Sequence, residues 1–143
     1  MVGYDVKNFF FDRQKIIDAT TKAQRANLSK AGAFIRTRAK SSMRKRKASA
    51  QPNQPPSAHG NPQLKNLLYF AYDPSSKSVV IGPTRFRRGT VPELMEKGGT
   101  GPVTRRGVTT VHQFAPHPYM GPALAAEQKA GTISNPWKDS IKA

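Results

Sequence analysis

The chain has 143 residues, enough for one domain that would bury about 68% of its unfolded surface if it were wholly compact. Its net charge of +16 favours contact with an anionic partner, whether nucleic acid, a membrane surface or an acidic protein face. The absence of cysteine excludes disulfide scaffolds, thiolate nucleophiles and the usual structural zinc sites, and no apolar run approaches the roughly 20 residues of a membrane span.

The start of the chain, Met1 to Asp5, lacks the basic and apolar regions of a secretory signal. We therefore expect the protein to be made and folded in the cytosol. Proline, glycine, serine and lysine are plentiful, so we also expect part of the chain to lie outside any core.

Residues 12–43 are predicted to form one long helix, because they contain no proline and a single glycine. Asp12 is the expected N-cap. At 100° per residue nine residues fall in one stripe about 160° wide. They are Ile16, Ile17, Thr20, Ala23, Leu28, Ala31, Phe34, Ile35 and Ala39. The opposite face is basic, and it would meet solvent, which is the commonest case, or a partner, or DNA.

Residues 44–63 are predicted to form a flexible, proline-rich arm. The arm begins with four basic residues, Arg44, Lys45, Arg46 and Lys47. Its prolines oppose a helix and its few large apolar groups oppose burial, so we expect it to be ordered only against a neighbour. The basic tetrad would hold phosphates or would pair with the acidic rims of adjoining subunits.

A first hairpin is predicted from residues 64–72, which are rich in β-forming side chains, and from residues 77–81, which end in the apolar run Val79-Val80-Ile81. The sequence Asp73-Pro74-Ser75-Ser76 between them is typical of a turn. Gly82-Pro83 is expected to end the second strand.

A short helical turn is predicted at residues 91–97, between a basic loop at 84–90 and two glycines. A second hairpin is predicted over residues 103–112, with Arg105 and Arg106 at its tip. These two arginines are the feature outside the arm that most resembles a nucleic-acid contact, although no aromatic side chains alternate with the basic residues for base stacking.

The second hairpin leads into a proline-rich corner followed by a helix. Pro116 and Pro118 hold the residues before them extended, and Pro122 suits the first turn of a helix. The aromatic and thioether side chains at this corner are therefore held in place, and a core position and a contact with another subunit are equally compatible with the sequence. The candidate interface residues are Pro116, Pro118, Tyr119, Met120 and Pro122.

Few residues suit catalysis. Glu93 and Glu96 are the only acids close enough in sequence to act as a pair, but a solvated or interface position is far commoner for such acids. The three histidines, His59, His112 and His117, lack the spacing of metal ligands. We therefore expect no enzyme activity, no cofactor and no metal.

Three segments occur in an order that resembles a known family. They are Ser78-Val79-Val80-Ile81-Gly82-Pro83, the stretch Val91 to Thr100, and Pro118-Tyr119-Met120-Gly121-Pro122-Ala123-Leu124. After a long N-terminal helix and a loop, this order is similar to that of the small tail-completion proteins of long-tailed bacteriophages, relatives of the minor tail protein Z type. The resemblance covers Ile16 to Glu127, and its specificity lies in the order of the motifs. His117 departs from the family, which often has arginine before the Pro-aromatic pair.

The resemblance implies a structural protein of the phage neck, placed between the head connector and the tail tube. Its expected partners are copies of itself in a hexameric ring and neighbouring neck proteins, namely a connector or stopper, a tail terminator or the tail tube. Genomic DNA in transit is a further expected contact, and a membrane is not. The expected location is the virion, with the host cytoplasm before assembly.

We predict a single α+β domain over residues 1–143, with the long N-terminal helix and a C-terminal helix packed on a small, mainly antiparallel sheet. The sheet and C-terminal helix would span 64–127, with a tail at 128–143 that either docks through Trp137 or forms a short final helix. Two other functions stay open: an autonomous small basic nucleic-acid-binding protein and a minor phage enzyme of the lytic or DNA-processing kind.

Overall fold

The computed structural model describes residues 12–57, 63–84 and 91–140. The elements in chain order are α1 (Arg13–Ser42), α2 (Gln63–Asn66), β1 (Leu68–Asp73), β2 (Ser78–Pro83), α3 (Val91–Lys97), β3 (Gly99–Arg105), β4 (Val108–Phe114), α4 (Met120–Lys129) and a 3-10 turn at Asn135–Trp137. The predicted α+β class is confirmed. The strands form two separate antiparallel pairs, β1–β2 and β3–β4, rather than one sheet. Within the described ranges no helix combines the length and the apolar character needed to cross a membrane.

Helix α1 begins where the sequence predicts, because Oδ1 of Asp12 accepts a hydrogen bond of 3.0 Å from the Lys15 amide and so caps the first turn. The buried residues of the helix lie in its middle and its C-terminal part. They are Asn27, Ala31, Gly32, Ile35 and Ala39. Ile16 and Ile17, by contrast, are 47% and 43% exposed. The predicted apolar stripe therefore meets the body along only part of its length.

The β1–β2 hairpin packs on the middle of α1. Gly32 permits this close approach, since a Cβ at that position would lie 2.8 Å from side-chain atoms of both Phe70 and Val79. The predicted strand beginning at Leu64 is wrong at its start, because residues Gln63–Asn66 form the helical turn α2. β1 begins only at Leu68, which pairs with Pro83, the last residue of β2.

The hydrophobic core lies where α1, β1 and α4 meet. Its buried members are Ile35, Ala39, Met43, Leu68, Tyr119 and Ala123. A hydrogen bond also joins α1 to β1, since Nε of Arg36 donates a hydrogen bond of 2.6 Å to the Leu68 carbonyl oxygen. This core fixes the start of α4 and therefore the orientation of the corner that precedes it.

A buried carboxylate joins α4 to α1. Glu127 is 4% exposed and accepts hydrogen bonds from Arg38 Nε and Thr132 Oγ1. The Thr132 hydrogen bond lowers the pKa of Glu127 most, and the hydrogen bond and charge of Arg38 lower it further, against an opposing effect of burial. The charged form of Glu127 is thus the form that the folded chain stabilises.

The segment after α4 makes one 3-10 turn, Asn135–Trp137, which contacts α1. Of the two predicted forms it is closer to the short final helix, although it is a single turn long. Trp137 remains 42% exposed, so it does not complete the core.

Candidate assembly surface

The β3–β4 hairpin extends from the body with both of its faces exposed. All seven residues of β4, Val108–Phe114, are exposed, and Gly101 is the one buried residue of β3. The hairpin contacts α3 at its base, where a Cβ on Gly101 would come within 2.5 Å of Leu94 Cδ1. The hairpin is therefore held at its base and uncovered, by the described residues, along most of its length.

The tip of this hairpin is a two-residue turn formed by Arg106 and Gly107, which have φ values of 49° and 81°. Positive φ at both positions is the geometry that suits the right-handed twist of the flanking strands. The predicted second hairpin is therefore confirmed, and it extends beyond the predicted residues 103–112 at both ends. Arg105 ends β3, and both arginines are exposed at the tip.

The outer edge of β3 is interrupted by a proline. Hydrogen-bonded and non-hydrogen-bonded pairs alternate along an antiparallel ladder, and a hydrogen-bonded pair closes a two-residue turn. Arg105 pairs with Val108 next to the turn, so the Pro102–Val111 pair is a non-hydrogen-bonded one. The nitrogen of Pro102 therefore faces outward, and this edge lacks a hydrogen-bond donor at its middle.

The outer edge of β4 is open. By the same alternation the N–H and C=O groups of Thr109, Val111 and Gln113 point away from β3. No backbone hydrogen bond joins these groups to another element within 12–57, 63–84 or 91–140. β4 contains neither proline nor an Asp, Glu, Lys or Arg residue, and proline and charge are two of the features that protect edge strands. Val108 and Val111 are 64% and 74% exposed, so the open backbone lies beside exposed apolar side chains.

The proline corner is only partly a surface. Tyr119 is 1% exposed, and burial, together with the nearby charge of Glu96, raises the pKa of its hydroxyl to about 12. Met120 is half-buried against the same core, Pro116 and Pro118 are half-buried, and Pro122 is exposed in α4. The structure thus assigns Tyr119 to the core and corrects its assignment to a subunit interface.

Glu96 holds this corner against α3. Its carboxylate oxygens accept hydrogen bonds of 2.9, 3.1 and 2.8 Å from the amides of Tyr119, Met120 and Gly121. These are N–H groups at the start of α4, where a helix leaves its donors unpaired and favours negative charge. Glu93 points elsewhere and pairs with Lys97 at 3.1 Å on the surface. The two acids that the sequence offered as a pair therefore have separate partners.

The described part of the arm packs against the same corner. The amide of Asn53 donates a hydrogen bond of 2.7 Å to the Pro116 carbonyl oxygen, and Pro56 is buried. Nδ1 of His117 lies 3.0 Å from the Gln54 carbonyl oxygen. The prediction that the arm is ordered only against a neighbour is therefore wrong for residues 44–57, because the corner itself supplies partners. Residues 58–62, which include His59, and Arg85–Thr90 of the basic loop lie outside the described residues.

The basic tetrad divides in two. Arg44, Lys45 and Lys47 are exposed, whereas Arg46 is half-buried and donates a hydrogen bond of 2.7 Å to Oε1 of Gln54. Beside it lies a cavity of 350 Å³ between the arm, Met95 and His117, and none of the described residues that line it is acidic.

The structure does not bring the predicted basic groups together. The tetrad lies by the corner at the base of the second hairpin, and Arg105 and Arg106 lie at its tip. Seven strand residues of about 3.4 Å each separate base and tip. The open edge of β4 was missed by the sequence reasoning, although Pro102 and the uncharged run Val108–Phe114 were signals that could have revealed it.

The chain matches no protein-family model, no curated protein and no solved structure. Among the described residues, no group of three or more His, Asp or Glu side chains is placed to hold a metal ion. The exposed β3–β4 hairpin is the feature of the described structure that most needs a functional explanation.

Proposed function

We propose that this protein is a structural subunit of a bacteriophage neck, a tail-completion or head–tail joining component that assembles as a ring between the head connector and the tail tube. The observation that carries the assembly role is the β3–β4 hairpin, whose faces are both exposed. The order of motifs that resembles the phage tail-completion proteins supports the neck as the place of assembly.

The exposed β3–β4 hairpin gains little stability from packing within a single copy of the chain. A two-stranded hairpin is at best marginally stable in water, and it usually needs a third strand or a helix against one face. Val108 and Val111 are more than half exposed, and full burial of such a side chain contributes about 1.5 kcal/mol. A neighbouring subunit that covered the hairpin would supply the missing packing.

Nucleic-acid binding is the second candidate function, and the net charge of +16 favours it. Within a neck, a weak and sequence-independent contact would let the genome pass, because contacts to phosphates carry no sequence information. An autonomous binder would instead hold duplex DNA at physiological salt without any neck protein present.

Particles of the phage whose genome encodes the chain provide the test. We expect mass spectrometry of purified particles to detect the protein in several copies, and we expect disruption of its gene to leave heads and tails unjoined. Restoring the gene in trans should restore joining, which controls for effects on neighbouring genes. Intact infectious particles that lack the protein would rule out the neck assignment.

A further inference from the structure

We propose that the open edge of β4 pairs with β4 of a second copy of this chain, antiparallel, with Val111 opposite Val111. The contact would join two hairpins into one continuous four-stranded sheet. It rests on the proposed assembly role only in requiring self-association, and it can be tested on the purified chain without any phage particle.

Only one edge of the hairpin accepts a strand along its length. The edge of β3 lacks a donor at Pro102, so adding β4 of one copy to β3 of the next would leave an unpaired acceptor in the middle of the ladder. Pairing β4 with β4 uses the open edge of both copies and avoids Pro102.

The distribution of charge identifies the occupant as a second copy. The chain carries a net charge of +16, and most of its surface would repel a copy of itself. The strand Val108–Phe114 has no Asp, Glu, Lys or Arg, so along this edge two copies can approach without bringing like charges together. An uncharged strand has no electrostatic preference for an acidic or basic peptide, and the β4 edge of a second copy is an equally uncharged strand.

The register follows from the outward-facing groups of Thr109, Val111 and Gln113. With Val111 opposite itself, Thr109 of each copy lies opposite Gln113 of the other, and all three positions form hydrogen-bonded pairs. A shift by two residues would leave an end unpaired. A shift by one residue would place these outward-facing N–H and C=O groups opposite residues whose own N–H and C=O groups face β3, so hydrogen bonds between the copies would be lost.

The same register brings the apolar side chains together. Val111 of each copy lies beside its counterpart on one face of the sheet. On the other face Val108 lies beside Phe114 of the second copy, at both ends of the contact, as an aromatic and β-branched pair. Arg105 and Arg106 of the two copies lie at opposite ends of the new sheet, so their charges are kept apart.

The contact is twofold and closes on itself, so it yields a dimer. A ring of more copies would need a second, different interface. A ring whose two faces meet different proteins is built from head-to-tail contacts, so the β4 contact is the state of the free chain before it meets its neighbours, and the purified chain contains the β4 pair.

Cysteine cross-linking tests the register directly, because the chain has no cysteine of its own. In the proposed dimer the two Val111 Cα atoms lie about 5.5 Å apart, within reach of a disulfide. The two Val108 Cα atoms lie six residues apart along the strands, about 20 Å. We expect Val111→Cys to form a covalent dimer on mild oxidation and Val108→Cys, on the same exposed strand, to remain mostly monomeric. Equal cross-linking of the two variants, or none of Val111→Cys, overturns the register.

Sedimentation equilibrium tests the contact without an introduced thiol. Val111→Lys places two lysines side by side at the twofold axis, and we expect it to weaken dimerisation at least tenfold. Thr100→Lys adds the same charge to the same face on β3, away from the second copy, and should dimerise like the unaltered chain. Dimerisation of Val111→Lys equal to that of Thr100→Lys, or an unaltered chain that is monomeric, refutes the β4 contact and leaves the neck assignment standing. Absence from virions would refute the neck assignment and leave the β4 contact standing.

Discussion

Glu127 shows how one buried side chain joins two helices of this protein. Its carboxylate lies between Arg38 on α1 and Thr132 beyond the end of α4, and the structure leaves it 4% exposed. A buried charge is tolerated only when its partners compensate for lost hydration. The partners of Glu127 therefore matter more to stability than exposed ion pairs such as Glu93 with Lys97.

Replacing Arg38 should leave the Glu127 carboxylate buried without its cation. We expect Arg38→Met to lower the free energy of unfolding by about 2 kcal/mol, below the usual range for a buried pair because the Arg38 side chain is 45% exposed. Urea denaturation measures the loss. Lys30→Met, an exposed change on the same helix, should stay within about 0.5 kcal/mol, and an equal loss in both variants would contradict this role.

The lowered pKa of Glu127 predicts a dependence of stability on pH. A carboxyl group whose pKa is lower in the folded than in the unfolded chain stabilises the fold above its unfolded pKa of about 4.3, and this contribution is lost as pH falls through the folded pKa. Urea midpoints measured from pH 7 downward should therefore fall more steeply below about pH 4.3 for the unaltered chain than for Glu127→Gln. Parallel curves would show that Glu127 does not make this contribution.

At the scale of elements, Glu96 connects α3 to the first turn of α4 across more than twenty residues of sequence. We expect Glu96→Ala to lower the free energy of unfolding by about 2 kcal/mol, because three helix-start amides lose a charged acceptor. Thermal and urea unfolding would measure the change. Glu93→Ala removes an acid from the same helix and only an exposed ion pair, so it is the matched control and should cost less than about 0.5 kcal/mol. The reverse order of the two effects would show that the capping assignment is wrong.

The arm permits a prediction about nucleic acid. Arg46 is engaged by Gln54, so three exposed residues, Arg44, Lys45 and Lys47, are free to contact phosphates. If they contact three phosphates, replacing all three by glutamine should reduce the slope of log affinity against log salt by about 2.7 for duplex DNA. The triple variant Arg13→Gln, Lys15→Gln and Lys22→Gln removes the same charge from exposed α1 sites. Equal slopes for the two variants would exclude the arm as a specific phosphate contact.

Local patterns in the sequence were sufficient to predict most elements. The absence of proline and the Asp12 cap located α1, the apolar run Val79–Ile81 located β2, and the arginine-glycine turn located the second hairpin. Each of these signals lies within the element that it predicts. Propensity and turn chemistry act between near neighbours, so such features can be inferred before any tertiary contact is known.

Features that depend on distant partners were not predictable in this way. The burial of Tyr119, the capping of α4 by Glu96 and the packing of Pro56 all require elements far apart in sequence to meet. The exposed first turns of α1 are a further case, because periodicity identifies an apolar face without showing what covers it. Ile16 and Ile17 follow the predicted stripe and still face away from the described core.

At the scale of the whole molecule, the protein combines a small core with elements that extend beyond it. The core holds α1, β1 and α4 together, while the β3–β4 hairpin and the first turns of α1 remain uncovered within the described residues. Exposed apolar surface of this kind marks interaction sites in soluble proteins. The proposed neck ring would cover this surface, and basic residues elsewhere on this chain of net charge +16 would remain available to DNA or to acidic neighbours.

Electron microscopy of the phage neck with side chains resolved tests the central proposal most directly. We predict a ring of this chain between the head connector and the tail tube, with the β3–β4 hairpin of every copy buried against a neighbouring subunit. A neck in which this hairpin lies free in solvent, or in which no density fits the chain, would contradict the account.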